Sequence, residues 1–310
     1  NCWNAVQEIA KYAHEVDKNH PTSTVTAGLD STVLQEIIKR TSDIDVYCVN
    51  TYGDIANVPK NIEKFGWTGA YMITEWGPNG YWESPNTAWK VSIEQTSTEK
   101  KQVYYDRYTN YIAPFPKCLG SYSFLWGAKQ EYTETWFGLF SKENLPTEPI
   151  DALEMVYSAK NPALASPKVL DMTINGKKAI DNIKLKADEK YPASVLAKIG
   201  INMTETADDA DRKLRYEWKI LAESTDKKSG GDAEEAAQEI GGLIQGRTKK
   251  DITFRAPHKE GAYRLFVTIY LNGKVGYANI PFWVDKRTET DGQAQFVEFK
   301  KLGMKKEEEE

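Results

Sequence analysis

Cysteine and histidine are scarce in this 310-residue sequence, with three of each. Cys2, Cys48 and Cys118 form no C-x-x-C pair and are too scattered for a disulfide framework, so they read as buried thiols. His14, His20 and His258 are equally dispersed, which argues against a His/Cys zinc site, and no metal or cofactor is implied. Long apolar runs are missing too. Nothing approaches the ~20 residues of a membrane-spanning helix, and the opening NCWNAVQEIA lacks the charged and apolar regions of a signal peptide. Excess positive charge is also absent: 40 Lys+Arg against 45 Asp+Glu gives a net charge of −5. That balance offers no field to attract nucleic acid or an anionic membrane. The first residue is Asn1 rather than Met, so the chain reads as processed or as a piece of a longer one.

What is present is unevenly spread. Seven of the nine Trp and twelve of the seventeen Tyr lie in the first 160 residues, and that half carries a charge balance of −6 against +1 beyond it. The length suits about two domains. The stretch Asn161 to Pro167, NPALASP, has two prolines among small residues where the pattern changes, and marks the expected boundary. The expected division is residues 1–160, 161–285 and a charged tail at 286–310.

In the first half, β-branched runs alternate with segments of helical period, which argues for βα units around a parallel sheet. Val6, Ile9, Ala13 and Val16 predict an opening helix that stops before Pro21. Strands are predicted over Thr22–Ala27, Val46–Thr51, Ala70–Thr74 and Leu119–Leu125. Helices are predicted over Ser31–Arg40, Val58–Phe65, from a Thr96/Glu99 capping box to Ile112, and over Glu148–Ser158. Four such units and about 160 residues amount to half of a (β/α)8 barrel.

The second half reads as short strands separated by turn chemistry: Val169–Ile174, Ser194–Ile201, Leu214–Leu221, Ile252–Arg255, Tyr263–Leu271 and Val275–Val284. Asn272-Gly273 is a hairpin signal, and Trp218 and Trp283 are candidate core aromatics. The pattern suggests an immunoglobulin-like sandwich. Asp208, Asp209 and Asp211 read as solvated turn acids in preference to a calcium loop. Ser229–Gly246 reads as a long polar loop and the KKEEEE end as a solvated terminus.

Catalytic groups of parallel barrels gather at the C-terminal ends of strands. Here those ends carry Asn50-Thr51-Tyr52-Gly53, Thr74-Glu75-Trp76-Gly77 and Leu125-Trp126-Gly127. A carboxylate, a phenol and an indole would converge, a set that fits glycoside chemistry, with aromatic faces stacking on sugar C–H surfaces. Equally, Glu75 fits a loop carboxylate paired with a cation, and the indoles the cover of a core. Trp82, Glu83 and Trp89 follow Glu75, and Lys129, Gln130 and Trp136 follow Trp126. Of these, Trp82 and Gln130 are the candidate ligand contacts. Tyr104, Tyr105, Tyr108 and Tyr111 have helical spacing and read as packing.

Ile73-Thr74-Glu75-Trp76-Gly77 resembles the seventh-strand signature of the clan A retaining glycoside hydrolases, which include the family 2 enzymes. Asn50-x-Tyr52 resembles that clan's sixth-strand end, and Trp126 its eighth-strand aromatic. The runs CLGSYSFLWGAKQEYTETWFGLF, TEWGPNGYWE, LRYEWKI and GAYRLFVTIY resemble family 2-type barrel proteins and their C-terminal sandwich. The resemblance implies the C-terminal half of a TIM barrel followed by an immunoglobulin-like β-sandwich, with Glu75 as nucleophile and Tyr52 orienting it. Asn50, Trp126, Trp82 and Gln130 would then bind a β-linked oligosaccharide or polysaccharide. The clan's acid/base Glu follows Asn ahead of the helix that corresponds to residues 4–18, and no such pair occurs here. Glu8 and Glu15, within that helix, are no substitute. The expectation is therefore a fragment of a retaining β-glycosidase, secreted or periplasmic in the parent, that needs an N-terminal half-barrel and is inactive alone. The rival reading is a non-catalytic carbohydrate-binding or scaffold protein.

Overall fold

The computed structural model describes residues 1–199, 213–228, 232 and 234–286. Helix α1 (Cys2–Val16) opens with the Asn1 side chain accepting from the Trp3 amide. Then follow β1 (Ser23–Ala27), α2 (Ser31–Arg40), β2 (Val46–Asn50), α3 (Val58–Lys64), β3 (Ala70–Trp76), α4 (Ser97–Arg107), β4 (Cys118–Ser123) and α5 (Glu148–Ser158). A 3-10 turn at Gly53–Asn57 leads into α3, and α4 continues as a π turn at Tyr108–Ile112. The Thr96/Glu99 capping box at the start of α4 is formed.

The four strands pair in parallel and in chain order, β1-β2-β3-β4. Alternation along them decides what is buried. Tyr47, Val49, Tyr71 and Ile73 pack against Leu34, Ile37, Ile62, Tyr104 and Leu153 of the helices. On the opposite face Val25 in β1 is exposed, as are Leu119 and Tyr122 in β4, which adjoin Cys118 and Ser121, the register partners of Tyr71 and Ile73. A helix stripe of Ile9, Tyr12 and Val16 on α1 is exposed as well. Cys48 is buried, but Cys118 is only half-buried and Cys2, the first residue of α1, is exposed, which corrects the reading of all three cysteines as buried. Tyr105 is also exposed, whereas Tyr104, Tyr108 and Tyr111 pack.

Among the described residues the second half forms two four-stranded sheets around one core. One has the order β5-β7-β10-β9 (Lys168–Ile174, Lys190–Lys198, Asp251–Arg255, Ile244–Gln245). The other has the order β6-β12-β11-β8 (Lys184–Lys186, Lys274–Asp285, Gly261–Leu271, Arg215–Ala222). Pairing is antiparallel except β6 with β12. Asn272 and Gly273 both have positive φ, the conformation a two-residue hairpin demands.

The differences from expectation have local causes. Strand β7 begins at Lys190 and includes Pro192; its register with β5 starts at Ala193, and on that side the proline takes part only as acceptor, its carbonyl receiving the Asn175 amide at 2.8 Å. Strand β9 lies inside the expected polar loop, and Ile240 N donates to Ile220 O there, so backbone pairing holds a segment whose composition is polar. Trp218 is in the core, but Trp283 lies outside it against Trp89. The aspartates 208, 209 and 211 and the tail from residue 287 lie outside the described residues.

Strands β11 and β12 are covered on both faces. Leu265, Val267, Ile280 and Phe282 point into the sandwich core, while Arg264, Tyr277 and Asn279 are buried against the first half. Gly276 is required here, since a Cβ at that position would sit 2.3 Å from the Pro167 carbonyl oxygen.

Candidate active site

The C-terminal ends of β2 and β3 bring Asn50, Tyr52 and Glu75 together. Asn50 and Glu75 are register partners, offset by a β-bulge, and the Thr51 amide donates to the Glu75 carbonyl at 2.8 Å. The Tyr52 hydroxyl donates to Glu75 Oε2 at 3.2 Å, and Thr74 Oγ1 donates to Asn50 Oδ1 at 2.7 Å. Burial, reinforced by the neighbouring Glu75 charge, pushes the Tyr52 phenol well above its ordinary pKa. It therefore stays protonated and remains a donor to the carboxylate.

The wall beside this pair is aromatic. Trp82 stands edge-on to Tyr52 with ring centroids 5.5 Å apart and is 56% exposed. Phe137 and Phe124 close the other sides of the Tyr52 ring at 5.4 and 6.3 Å. Two glycines make the wall possible. A Cβ on Gly80 would lie 2.4 Å from the Trp82 indole, and one on Gly77 would lie 2.9 Å from both Tyr104 Oη and the Phe124 carbonyl oxygen. Glu83 is engaged by backbone: its carboxylate accepts from the amides of Gly53 (3.0 and 2.9 Å) and Gly80 (3.0 Å). It clamps the loop after β3 to the loop after β2.

No family model and no curated protein matches the sequence. Among solved structures, a putative beta-galactosidase from Bacteroides fragilis is similar at 13% identity and a TM-score of 0.37, over 93% of this chain and 40% of that one. A Bacteroides uniformis beta-glucuronidase is similar at 13% identity and a TM-score of 0.36, over 91% and 30%. The endo-beta-1,4-mannanase from Thermotoga petrophila is similar at 11% and 0.30, over 92% and 61%. The chain spans less than two thirds of the length of each.

Two of the candidate ligand contacts lie differently from Trp82. Trp126, beyond the end of β4, is 72% exposed and packs edge-on to Phe140 at 5.0 Å. Gln130 lines a small space against the sandwich with Leu221, Glu223 and Ala237, and its buried Nε2 has no hydrogen-bond partner among the described residues. Trp136 is buried, its indole nitrogen donating to the Asn79 carbonyl at 2.9 Å. Sequence reasoning missed Tyr81, Tyr132 and Phe137, which complete the aromatic cluster. The available signal was the density of aromatics in the two loops, but composition does not say which rings face one another.

Proposed function

We propose that this chain is the nucleophile-bearing part of a retaining β-glycosidase, with Glu75 as nucleophile and Tyr52 as the residue that orients it. The observation that carries the reading is the Tyr52–Glu75 hydrogen bond at two adjacent parallel strand ends beside an exposed indole. Tyr52 occupies Oε2 and leaves Oε1 to attack the anomeric carbon. The C–O bond to the leaving group breaks as the ester to Glu75 forms, and a second carboxyl protonates the departing oxygen. Water, deprotonated by that same second group, then releases the sugar with retained configuration. That carboxyl belongs, in this reading, to a further half-barrel that covers the exposed stripe of α1 and the Val25–Tyr122 face and stands about 5–5.5 Å from Glu75. Parallel sheets are ordinarily buried on both faces, and here these apolar positions are exposed. Trp126 and Trp82 supply faces for sugar rings. The whole is divided as a half-barrel over residues 1–160 and an immunoglobulin-like sandwich over 161–285.

The two exposed indoles also favour carbohydrate binding without cleavage, and one experiment separates the readings. The product of the complete reading frame is incubated with a panel of β-configured 2-deoxy-2-fluoroglycosyl fluorides, whose leaving group needs little protonation. The proposal expects a stable adduct on the peptide containing Glu75, lost in Glu75→Gln. Retardation by β-glycans without any adduct supports the binding-only protein.

A further inference from the structure

The sandwich reaches the cleft through a continuous packed path. Arg264 of β11 is buried and donates to Glu223 (3.1 and 2.9 Å), to Asn279 Oδ1 (2.7 Å) and to the Ser92 carbonyl (2.9 Å). Ser92 in turn donates its amide to the Tyr132 hydroxyl at 2.6 Å. Two cations of the second half approach the Tyr132 ring, Arg264 at 5.8 Å and Lys227 at 4.2 Å from its centroid, and the Tyr132 amide donates to Glu234 at 2.7 Å. Tyr132 also has positive φ, a conformation a tyrosine keeps only when its surroundings impose it. From there the contacts run ring to ring. Tyr132 stacks on Tyr81 at 4.9 Å and 15°, and Tyr81 meets Trp82 edge-on at 4.8 Å. Trp82 then meets Tyr52, the donor to Glu75.

We infer that Arg264 is a positioning residue: from the β-sandwich it fixes Tyr132, and through Tyr81 sets where the exposed Trp82 indole stands beside the Tyr52–Glu75 pair. This makes the all-β half a working part of the cleft. The physical case is that Trp82 is exposed over more than half its surface, so little else holds its ring. Its underside touches Gly80, and its remaining ring partners are Tyr81, Tyr52 and Phe137. Tyr81 is the partner whose other face is stacked on a ring gripped from the sandwich. The assignment of the cleft to carbohydrate rests on the function proposed above; the positioning of Trp82 does not.

The test labels the chain with 5-fluorotryptophan and follows the Trp82 fluorine resonance, assigned by Trp82→Phe. Arg264→Met and Tyr132→Leu are expected to shift or broaden that resonance, although neither residue has a ring contact with Trp82. Tyr132→Phe, which keeps the ring stack but loses the hydroxyl that accepts from Ser92, is expected to move it less than Tyr132→Leu, whereas Trp283→Phe on the same sheet face is expected to stay close to wild type. If Arg264→Met does not fold, the Tyr132 pair carries the test. An unmoved Trp82 resonance in a folded Arg264→Met or a folded Tyr132→Leu overturns the proposal, and so does an equal shift in Trp283→Phe. A second arm uses gel retardation by soluble β-1,4-glucan, galactan and mannan. Where wild type is retarded, Tyr132→Leu should bind roughly fivefold more weakly. Retardation by none of the three, together with a shifted Trp82, leaves the positioning standing and counts against the carbohydrate reading.

Discussion

Glu94 and Glu75 are carboxylates of the same half of the molecule in opposite circumstances. Glu94 is buried between the halves with both oxygens fully engaged. Lys100 Nζ (2.6 Å) and Thr135 Oγ1 (2.8 Å) donate to Oε1, while Thr133 Oγ1 (2.7 Å) and Asn279 Nδ2 (2.6 Å) donate to Oε2. Burial pulls its pKa upward, but the Lys100 ammonium and these donors outweigh that and hold it below the usual carboxylate range. Glu75, at a strand end, has the Tyr52 hydroxyl as its one side-chain donor among the described residues. A saturated carboxylate serves as a fastener, because every lone pair is committed. An unsaturated one retains an oxygen for chemistry. The difference predicts that mutations will separate cleanly into those that cost stability and those that cost reactivity.

The largest expected effect is on reactivity. In the complete protein, Glu75→Gln should lower the turnover of the best glycan by on the order of 10³-fold or more, while the urea midpoint moves little, since one hydrogen bond at a partly buried group changes. Steady-state rates beside equilibrium unfolding check both halves of the statement. Activity within a few-fold of wild type removes Glu75 as nucleophile. Lys100→Met is the converse. It strands Glu94 in the junction and should cost about 3–5 kcal/mol in urea unfolding. A loss below ~1 kcal/mol would mean that the junction is not a fastener and that the comparison fails.

A third carboxyl, Glu148 at the start of α5, lies between these extremes. Its Oε1 accepts from Ser97 (2.8 Å) and Thr98 (2.5 Å), but its buried Oε2 has no partner among the described residues. Burial raises its pKa from 4.5 to about 7 against the lowering effect of those hydroxyls. The folded state then holds a proton that the unfolded chain has released. The associated stability is complete below about pH 4.5 and is lost as pH rises through about 7, at most about 3 kcal/mol. Glu148→Gln, which mimics the protonated form, should flatten the urea midpoint against pH between 5 and 8. An unchanged slope would show that Glu148 is ionised in the fold.

How much of this was legible in the sequence depends on the range of the interaction. The parallel strands were legible because Val46–Asn50 and Ala70–Thr74 are β-branched and aromatic runs bounded by turn residues, and the capping box of α4 because Thr96 and Glu99 are three residues apart. The strand-tip position of Glu75 followed from those runs. The junction was not legible. Arg264 alternates with Tyr263 and Leu265 and so looks like an ordinary solvent-facing residue of a sandwich; it is buried only because Ser92 and Tyr132, more than a hundred residues earlier, close over it. Periodicity reports which face a side chain takes and never what will cover that face. Strand β6 and strand β9 escaped for a related reason, since three and two residues are too few for a period to register.

The smallest predicted effect sharpens the comparison most, because it repeats the same chemistry at the same junction with water admitted. Lys219 of β8 forms an ion pair with Glu134 of the loop after β4, so it too ties the two halves together. Its side chains are 22% and 21% exposed, against 2% and 0% for Lys100 and Glu94. Solvent screens the attraction and solvates either partner when the other is removed, so neither charge is stranded. Lys219→Met should therefore cost less than about 1 kcal/mol, and part of that loss should vanish at 1 M salt, where the Lys100→Met penalty persists. Urea unfolding of the two variants at low and high salt decides it. Equal penalties would mean that charge pairing as such joins the halves, whereas the expected disparity assigns the fastening to the dry, fully bonded carboxylate of Glu94.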